Sequence, residues 1–312
     1  MANALPVLYF DRALPDEYAD LVNGRAVAVG PDEADLAEAD AVIAGSVVPW
    51  NAAAFAGGPK LKVISRSGVG YDNVDVADAH AAGIVVCYTP EAPTVSTAEH
   101  AVALMLAITK GLPALQQRAF AGLAGAVPTS MELDGRVLGL LGIGRIARRV
   151  AATGAALGMR VIAHDPFVTT VEPPVALVSL DELLSTSDVL SLHAPATVDT
   201  HHVINAATLA RMKPGSYLVN CARGGLVDQT ALVAVLDAGH LAGAGLDVTD
   251  PEPLPVGHPL LVHPLVVITP HVASATVAGR RRLYAQAIDN ALAVCAGRPA
   301  TTVPVPSTGP LC

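Results

Sequence analysis

The pattern that most constrains this chain is an alternation of short apolar segments with longer alanine-rich segments along most of its length. In the first hundred residues, strands are predicted at Val7–Phe10, Ala26–Val29, Ala41–Ala44, Lys62–Ser65 and Ile84–Tyr88. Later in the chain, strands are predicted at Val137–Leu141, Arg160–His164, Val189–His193, Ser216–Asn220, Gly243–Val248 and Val266–Thr269. Apolar strands separated by helix-length segments are typical of parallel sheets built from βαβ units.

The two series of strands predict an α/β protein with two doubly wound, parallel-sheet, Rossmann-like domains. A length of 312 residues suits two domains. A long helix is predicted over Val95–Leu112, with Ser96 or Thr97 as its cap, and a last helix over Val277–Ala296. Because that last helix follows the second series, it can return to the first domain. We therefore expect residues 100–280 to form a domain inserted into one made of 1–99 plus 281–312.

Composition excludes several classes of protein. The chain is 52% hydrophobic and 15% charged, which argues against disorder. Its formal net charge of −9 argues against nucleic acid or an anionic membrane as a partner. Apolar runs fall short of the roughly 18 residues that span a membrane, and the N-terminus lacks the basic segment of a secretory signal. The four cysteines show no metal-binding spacing. We expect free thiols, no metal and a cytoplasmic location.

A glycine-rich turn gives the first functional signal. The letters GIGRIA at 142–147 match GxGxxA, where a predicted strand ends and a helix begins. Gly142 permits the tight turn, Gly144 lets a pyrophosphate approach the backbone, and Ala147 lets the helix pack on the sheet. The N–H groups at the helix start attract an anion, and Arg145 adds a cation. The pattern predicts a dinucleotide site.

Asp165 indicates which dinucleotide binds. It follows the next predicted strand, where an acid accepts hydrogen bonds from an adenosine ribose. Two like charges about 4 Å apart, at an effective dielectric near 20, repel by about 4 kcal/mol. The carboxylate therefore favours NAD over NADP, whose 2′-phosphate it would repel. The alternative is that Asp165 is only a loop acid.

Three further motifs follow predicted strands: NCARGGLVD at 220–228, GLDVTDPEP at 245–253 and TPH at 269–271. Together with RSGVGYDN at 66–73 they resemble the D-isomer-specific 2-hydroxyacid dehydrogenase family. The resemblance runs in order from about residue 61 to residue 299. It implies that the inserted domain binds NAD and that the other domain binds a small 2-keto or 2-hydroxy acid.

The resemblance implies a role for each matching residue. Arg223 binds the substrate carboxylate and polarises the carbonyl, His271 is the general acid or base, and Glu252 pairs with His271. Asp247 positions the nicotinamide carboxamide. The other implied cofactor contacts are Thr97, Ile146, His193, Ala194, Cys221 and Ala222. The implied substrate contacts are Ser67, Gly68, Val69 and Gly70, with the amides of Val69 and Gly70 on the carboxylate.

The chemistry supports these residue types independently. Hydride transfer places negative charge on an oxygen, which a guanidinium such as that of Arg223 can stabilise. A carboxylate beside His271 favours the imidazolium that donates a proton. The alternatives are a turn arginine at 223 and a solvated loop acid at 252. His100 and His193 match family positions, but we interpret them as structural or as lining the site.

Departures from the family pattern bear on the substrate. Phosphoglycerate dehydrogenases carry an arginine where this chain has Gly45, and the following VVPW segment is apolar. A phosphorylated substrate would therefore lack an expected cation. We predict a non-phosphorylated 2-keto acid, whose apolar side chain meets the segment from Val47 to Trp50, or alternatively Tyr71.

The sequence is also compatible with other functions. One is a short phosphoglycerate dehydrogenase, and another is an NAD-sensing protein similar to transcriptional corepressors. A hydrolase or an amino-acid dehydrogenase of related fold accounts less well for the ordered Arg, Glu and His motifs. By resemblance we also predict a homodimer, supported by the long helix Val95–Leu112.

Overall fold

The computed structural model of the chain describes residues 4–123, 125 and 129–304. Within these ranges the strands form two parallel sheets. The chain divides into two compact units, Met1–Pro93 with Thr276–Cys312, and Thr94–Ala275. The predicted fold class, with one Rossmann-like domain inserted in the sequence of the other, is confirmed. The boundaries between the two compact units lie a few residues before the predicted boundaries. The assignment of the substrate to one unit and of the cofactor to the other stays a prediction.

The sheet of the first unit has five strands in the order β2-β1-β3-β4-β5. In chain order these are β1 (Val7–Phe10), β2 (Val27–Val29), β3 (Ala41–Ala44), β4 (Val63–Arg66) and β5 (Val85–Cys87). Its first helices are α1 (Glu33–Leu36), α2 (Ala52–Ala56) and α3 (Val76–Ala81), and a 3-10 turn covers Asp16–Leu21. The side chains of Asn51 and Asp75 cap α2 and α3 by accepting from backbone N–H groups.

The sheet of the second unit has seven strands in the order β12-β11-β10-β9-β6-β7-β8. In chain order these are β6 (Val137–Leu141), β7 (Arg160–His164), β8 (Val175–Leu177), β9 (Val189–Leu192), β10 (Ser216–Asn220), β11 (Leu241–Leu246) and β12 (Val266–Ile268). The helices are α4 (Thr94–Thr109), α5 (Leu112–Phe120), α6 (Arg145–Ala156), α7 (Leu180–Thr186), α8 (Ala206–Arg211), α9 (Gln229–Asp237) and α10 (Pro259–Val262). A short 3-10 turn covers Gly224–Leu226.

The helix predicted over Val95–Leu112 is present as α4, but it ends at Thr109, three residues before the predicted limit. A separate helix, α5, begins at Leu112 after Gly111, whose φ of 62° is in the left-handed region. Only glycine adopts that conformation without cost, so the helix ends there although the apolar pattern continues. Ser96 and Thr97 lie buried inside the first turns of α4, and neither precedes it as a cap.

The prediction of six strands in the second sheet missed β8. This strand has three residues and follows a Pro-Pro pair at 173–174, which reads as a loop signal in the sequence. It pairs in parallel with β7 through Val161 and Val175. Tertiary pairing therefore extends the sheet at an edge where local propensity is weak.

The final helix α11 (Val277–Cys295) belongs to the first unit, as predicted from its place in the chain. Its buried face, including Ala287, Ile288 and Ala291, packs in one core with residues of the first sheet such as Phe10 and Ile43. The chain after α11 returns to the first sheet. Thr302 bridges antiparallel to Cys87, and the Val303 amide donates to the carbonyl of Val86. Residues 305–312 lie outside the described residues.

Two further observations concern the chain as described. No helix in the described ranges is long and apolar enough to cross a membrane. Cys87, Cys221 and Cys295 are free thiols, as expected, and Cys312 lies outside the described residues.

Candidate functional site

The predicted cofactor and catalytic residues of the second unit, other than Thr97, gather at one edge of its sheet. They follow strands β6, β7, β9, β10, β11 and β12, all of which are parallel and neighbour one another in the sheet. The carboxyl ends of parallel strands lie on the same side, where open α/β sheets bind ligands.

The glycine-rich loop after β6 has the shape that a pyrophosphate requires. Gly142 has a φ of 89°, and a Cβ there would lie 2.9 Å from the His193 carbonyl. Gly144 precedes α6 without a side-chain cap, and a Cβ at this position would meet no atom within 4 Å. The first N–H groups of α6 thus receive no side-chain cap from Gly144, and they lie at the positive end of the helix dipole. The loop fits a dinucleotide phosphate, and Arg145 begins the helix.

Asp165 supports the same loop from the end of β7. Its Oδ2 accepts from the Ile143 amide at 3.0 Å, and its Oδ1 accepts from the Phe167 amide at 2.9 Å. Each carboxylate oxygen can accept a second hydrogen bond. The side chain can thus hold the glycine-rich loop and still accept from a ribose.

His193 lies against the glycine-rich loop, at the end of β9. Its amide donates to the Leu141 carbonyl at 2.8 Å, and its Nε2 lies 2.9 Å from Oγ of Ser191. Burial lowers the pKa of His193 to about 4, so the ring is neutral near pH 7. Ala194 follows it, and a Cβ at Gly142 would lie 3.1 Å from the Ala194 amide nitrogen.

Hydrogen bonds of Asn220, the last residue of β10, hold the backbone at Arg223. Asn220 donates from Nδ2 to the Arg223 carbonyl at 2.8 Å, and its Oδ1 accepts from the Ala222 amide at 3.0 Å. The Arg223 guanidinium donates to the Ala222 carbonyl at 2.8 Å. A Cβ at Gly224 would lie 2.0 Å from the Thr249 carbonyl oxygen. Only glycine therefore lets the backbones after β10 and β11 pack together at this point.

The remaining predicted cofactor contacts divide into two groups. Ile146, Cys221 and Ala222 are half-buried beside the same sheet edge. Burial, with the Asp247 carboxylate, raises the pKa of the Cys221 thiol far above its usual range, so this thiol stays protonated. Thr97 is buried inside α4, which gives it a packing environment.

His271 and Glu252 form the pair that the motifs predict. Nδ1 of His271 lies 2.7 Å from Oε1 of Glu252, and both side chains are partly exposed. Because the carboxylate accepts, Nδ1 carries the proton and Nε2 remains for a ligand. His271 has a left-handed φ of 52°, a conformation that costs a non-glycine residue on the order of 1–3 kcal/mol. Its amide donates to the carbonyls of Asp247 and Thr269 at 2.8 and 3.0 Å.

Asp247 has partners other than those predicted. Its carboxylate is fully buried and accepts from the Thr269 hydroxyl at 2.6 Å. It also accepts from the amides of Val272 and Ala273 at 2.9 and 2.8 Å. A buried charge needs such donors to offset its lost hydration. Asp247 thus anchors the loop that carries His271, and the carboxamide contact that the resemblance implies for it stays a prediction.

His100 also belongs to this network. From α4, its Nε2 lies 2.9 Å from Oγ1 of Thr269 and 3.3 Å from Oδ1 of Asp247. The structural role anticipated for His100 therefore acquires two specific partners, both beside the His271 loop.

In the first unit, the predicted substrate residues form the loop after β4. The Ser67 amide and hydroxyl donate to the Ala44 carbonyl at 2.9 and 3.0 Å. The Gly68 carbonyl accepts from the Thr89 amide, and a Cβ at Gly68 would lie 2.4 Å from the Arg66 guanidinium. Val69 is 39% exposed and Gly70 is partly exposed. The loop therefore packs against an arginine side chain.

The apolar segment after β3 divides between surface and core. Val47 is 72% exposed, whereas Trp50 is only 3% exposed and stacks on Phe55. The indole Nε1 of Trp50 donates to Asp11 at 3.4 Å. The expectation that Trp50 presents its ring to a substrate is not met, because the ring is buried in the core of the first unit.

Asp11 is a polar group at this edge that sequence reasoning missed. Its carboxylate oxygens accept from the Gly45 amide at 2.8 Å. Burial raises the pKa of Asp11, an effect that the bonds from Gly45 and Trp50 and the charge of Arg66 oppose. An acid at the end of β1, the first strand of a parallel sheet, could have indicated it.

No cluster of three or more His, Cys, Asp or Glu side chains suited to a metal occurs among the described residues. The arrangement that the structure does contain is a dinucleotide-type loop with an Arg and a His–Glu pair at the same sheet edge.

Comparison with known proteins places this arrangement in a family. Residues 102–273 match the family described as D-isomer specific 2-hydroxyacid dehydrogenase, NAD binding domain. The chain belongs to this family. The matched region, an NAD-binding domain, contains the predicted cofactor residues other than Thr97, and all three predicted catalytic residues.

Known members of the 2-hydroxyacid dehydrogenase family align with most of the chain. The D-3-phosphoglycerate dehydrogenase of Mycobacterium tuberculosis is 39% identical over 300 residues, covering 89% of this chain and 55% of its own length. The glyoxylate reductase of Thermofilum pendens is 40% identical over 248 residues, covering 77% and 73%. The chain thus spans about half the length of the phosphoglycerate dehydrogenases it matches.

A solved structure also aligns with most of the chain. The D-lactate dehydrogenase of Aquifex aeolicus, complexed with NAD and lactic acid, aligns with a TM-score of 0.83 and 30% sequence identity. The match covers 93% of this chain and 96% of that one.

Proposed function

We propose that the chain is an NAD-dependent reductase of small 2-keto acids, which it interconverts with D-2-hydroxy acids. The observation that carries the proposal is the 2.7 Å contact between His271 and Glu252, at the sheet edge that also carries Arg223 and the glycine-rich loop. This combination supplies an anion-binding group, a proton donor and a cofactor site together.

Arg223 binds the substrate carboxylate and polarises its carbonyl oxygen. A guanidinium stays charged and offers several N–H donors in one plane, which suits a carboxylate and a developing oxyanion. The hydrogen bonds of Asn220 and the close backbone approach at Gly224 fix the backbone that carries Arg223. The position of Arg223 is therefore set before substrate binds. In the first unit, we assign the amides of Val69 and Gly70 to the carboxylate.

His271 transfers the proton. In the reductive direction, Nε2 donates a proton to the carbonyl oxygen while the carbonyl carbon gains a hydride, and a 2-hydroxy acid results. Glu252 stabilises the imidazolium before the transfer and keeps Nδ1 protonated after it. In the oxidative direction, neutral Nε2 accepts the hydroxyl proton.

The dinucleotide loop holds the cofactor through the chain's own groups. The N-terminus of α6, with Gly142, Gly144 and Arg145, binds the pyrophosphate, and Asp165 accepts from the ribose. When bound, NADH supplies the hydride, and NAD⁺ accepts it in the reverse direction. The other lining residues are Ile146, His193, Ala194, Cys221 and Ala222. We assign Thr97 to packing and Asp247 to support of the His271 loop.

The first unit favours a substrate without a phosphate group. Gly45 has no positive charge where phosphoglycerate dehydrogenases carry an arginine. The carboxylate of Asp11 lies directly beside Gly45. The charge of Arg66 is close to that acid, which weakens its attraction for a second anion. Val47 offers an exposed apolar contact for a substrate side chain.

A second candidate is 3-phosphoglycerate dehydrogenase activity. The observation that favours it is the 39% identity to the mycobacterial phosphoglycerate dehydrogenase over 89% of this chain. A phosphorylated substrate would then have to rely on Arg66.

The test is NADH oxidation with glyoxylate, hydroxypyruvate, pyruvate, branched and aromatic 2-keto acids, and 3-phosphohydroxypyruvate. We expect the largest kcat/KM with a non-phosphorylated acid. Arg223→Ala and His271→Ala should each lower kcat/KM by about 10²-fold or more. Wild-type kcat/KM in either variant would refute the assigned roles. A preference for 3-phosphohydroxypyruvate would favour the second candidate, and NADH binding without turnover would favour an NAD sensor.

We also propose a cytoplasmic homodimer. The free thiols Cys87, Cys221 and Cys295 suit a reducing compartment. Leu112 and Phe120 of α5 and the following Leu123 are exposed apolar side chains that a second copy could cover. Light scattering at micromolar concentration tests this, and a monomer would contradict it.

A further inference from the structure

We propose that His100 is a positioning residue for His271 and acts on it through Thr269 and Asp247. The inference deepens the proposed function and rests on it, since it concerns the residue to which we assign proton transfer. The observation behind it is a continuous network of hydrogen bonds inside the second unit, from helix α4 to the loop after β12.

The loop that carries His271 needs external support. The left-handed backbone at His271 is unfavourable for a residue with a side chain, so surrounding contacts must hold it. Asp247 provides them on both sides of His271. Its carboxylate accepts from the Thr269 hydroxyl before it and from the amides of Val272 and Ala273 after it. One buried carboxylate therefore determines the path of the loop.

The chemistry of the hydroxyl fixes the role of His100. A threonine hydroxyl has a single proton, and at 2.6 Å Thr269 donates it to Asp247. Its oxygen can then only accept from Nε2 of His100, which lies 2.9 Å away. His100 therefore carries a proton on Nε2. The same N–H lies 3.3 Å from Oδ1 of Asp247, so it contributes to neutralising that buried charge.

Helix α4, which carries His100, packs tightly against the second sheet. A Cβ at Gly245 of β11 would lie 3.0 Å from Cβ of Leu104, so the helix packs directly on the strand that leads to Asp247. Leu104 and Met105 are fully buried in the same core. The N–H of His100 is thus presented to the His271 loop from a packed helix.

The experiment compares His100→Leu with His100→Gln. Leucine removes the donor, whereas the glutamine amide can place an N–H near the position of Nε2. His240→Leu is the matched control, because His240 is also a half-buried histidine with a 3.1 Å bond from Nε2, to the Leu209 carbonyl. The measurements are kcat and KM for the best 2-keto acid, Kd for NADH, and hydrogen exchange of the amides of Val272 and Ala273.

We expect His100→Leu to lower kcat by about 10- to 100-fold, because a small misplacement of a reacting group has effects of that size. KM and the Kd for NADH should stay within about twofold, and the two amides should exchange faster. His100→Gln should recover most of kcat and of the protection. His240→Leu should match the wild type.

Wild-type kcat and exchange in His100→Leu would overturn the proposal. A rise in KM or in the Kd for NADH without a fall in kcat would also overturn it, because His100 would then be a binding contact. If wild-type protein oxidises NADH with none of the acids, the proposed function fails, and the exchange of Val272 and Ala273 still decides the positioning role.

Thr269→Val gives a second route if His100→Leu does not fold. It removes the hydroxyl at nearly constant shape, and Thr269→Ser retains it. We expect the valine variant to lose kcat and exchange protection as His100→Leu does, and the serine variant to keep both. Equal kcat and equal exchange in the two variants would overturn the proposal.

Discussion

Nδ1 of His271 lies 2.7 Å from Oε1 of Glu252, although the two residues are 19 positions apart in the chain. The pair leaves Nε2 as the only ring nitrogen that can exchange a proton with a ligand. Glu252→Gln keeps the size of the side chain and removes its charge. We expect kcat for 2-keto acid reduction to fall by about 10- to 100-fold, since the imidazolium loses its partner. Steady-state kinetics check this, with Glu182→Gln on the exposed start of α7 as the control for charge. Unchanged kcat would contradict the role of Glu252.

Gly224 should tolerate no side chain. A Cβ there would lie 2.0 Å from the backbone oxygen of Thr249, so the two loops would have to separate. Overpacking of this kind costs about 1–3 kcal/mol, and we expect Gly224→Ala to destabilise the protein by that amount and to lower activity by displacing Arg223.

Gly225→Ala is its matched control. A Cβ at Gly225 would meet its nearest neighbours at 3.5 and 3.6 Å, which are ordinary contacts. The free energy of unfolding should change by less than about 1 kcal/mol. Urea unfolding followed by circular dichroism measures both variants. Equal stability of the two would contradict the close approach at Gly224.

His193 should make stability depend on pH. Burial lowers its pKa from 6.5 to about 4, so the unfolded chain binds a proton more readily than the folded one. Stability is then full above about pH 6.5 and is lost as the pH falls toward 4. The whole shift corresponds to at most about 3 kcal/mol.

His193→Gln removes this titration and is the direct test. We expect the difference in unfolding free energy between pH 7 and pH 4.5 to be smaller in the variant than in the wild type. Urea unfolding at the two pH values measures it, with His240→Gln as the control. Identical pH dependence in wild type and His193→Gln would contradict the prediction.

Asp165 should set the preference for NADH over NADPH. Asp165→Asn keeps an oxygen for the Ile143 amide and removes the charge that would repel a 2′-phosphate. We expect the ratio of kcat/KM for NADPH to that for NADH to rise at least about tenfold. Asp181→Asn, an exposed acid of α7, makes the same change in net charge and should leave the ratio alone. A constant ratio in Asp165→Asn would mean that Asp165 only supports the loop.

Strand positions and motif residues were predictable because both depend on local sequence. The limits predicted for Val137–Leu141 and Ser216–Asn220 match the structure, since each is a buried apolar run with clear ends. The His271–Glu252 pair was predictable from motif resemblance. In contrast, the break at Gly111 and strand β8 depend on one glycine conformation and on tertiary pairing.

The hydrogen bonds that support the His271 loop could not be predicted from the sequence. His100 and Thr269 are 169 positions apart, and nothing in either local pattern indicates that α4 packs where it does. The support that Asp247 gives to the His271 loop could not be predicted for the same reason, because its contacts with Val272 and Ala273 exist only in the folded unit. Trp50 was assigned to a substrate contact from an apolar run whose last residue turns into the core.

The buried indole of Trp50 also gives the protein an intrinsic fluorescent probe. Trp50 is the single tryptophan of the chain, and it lies in the core of the first unit with Phe55 and Tyr9 beside it. Its emission therefore follows the melting of that unit alone, whereas circular dichroism follows the helices of both. A fluorescence midpoint that separates from the dichroism midpoint would reveal that the two units lose their structure independently, without any label being introduced.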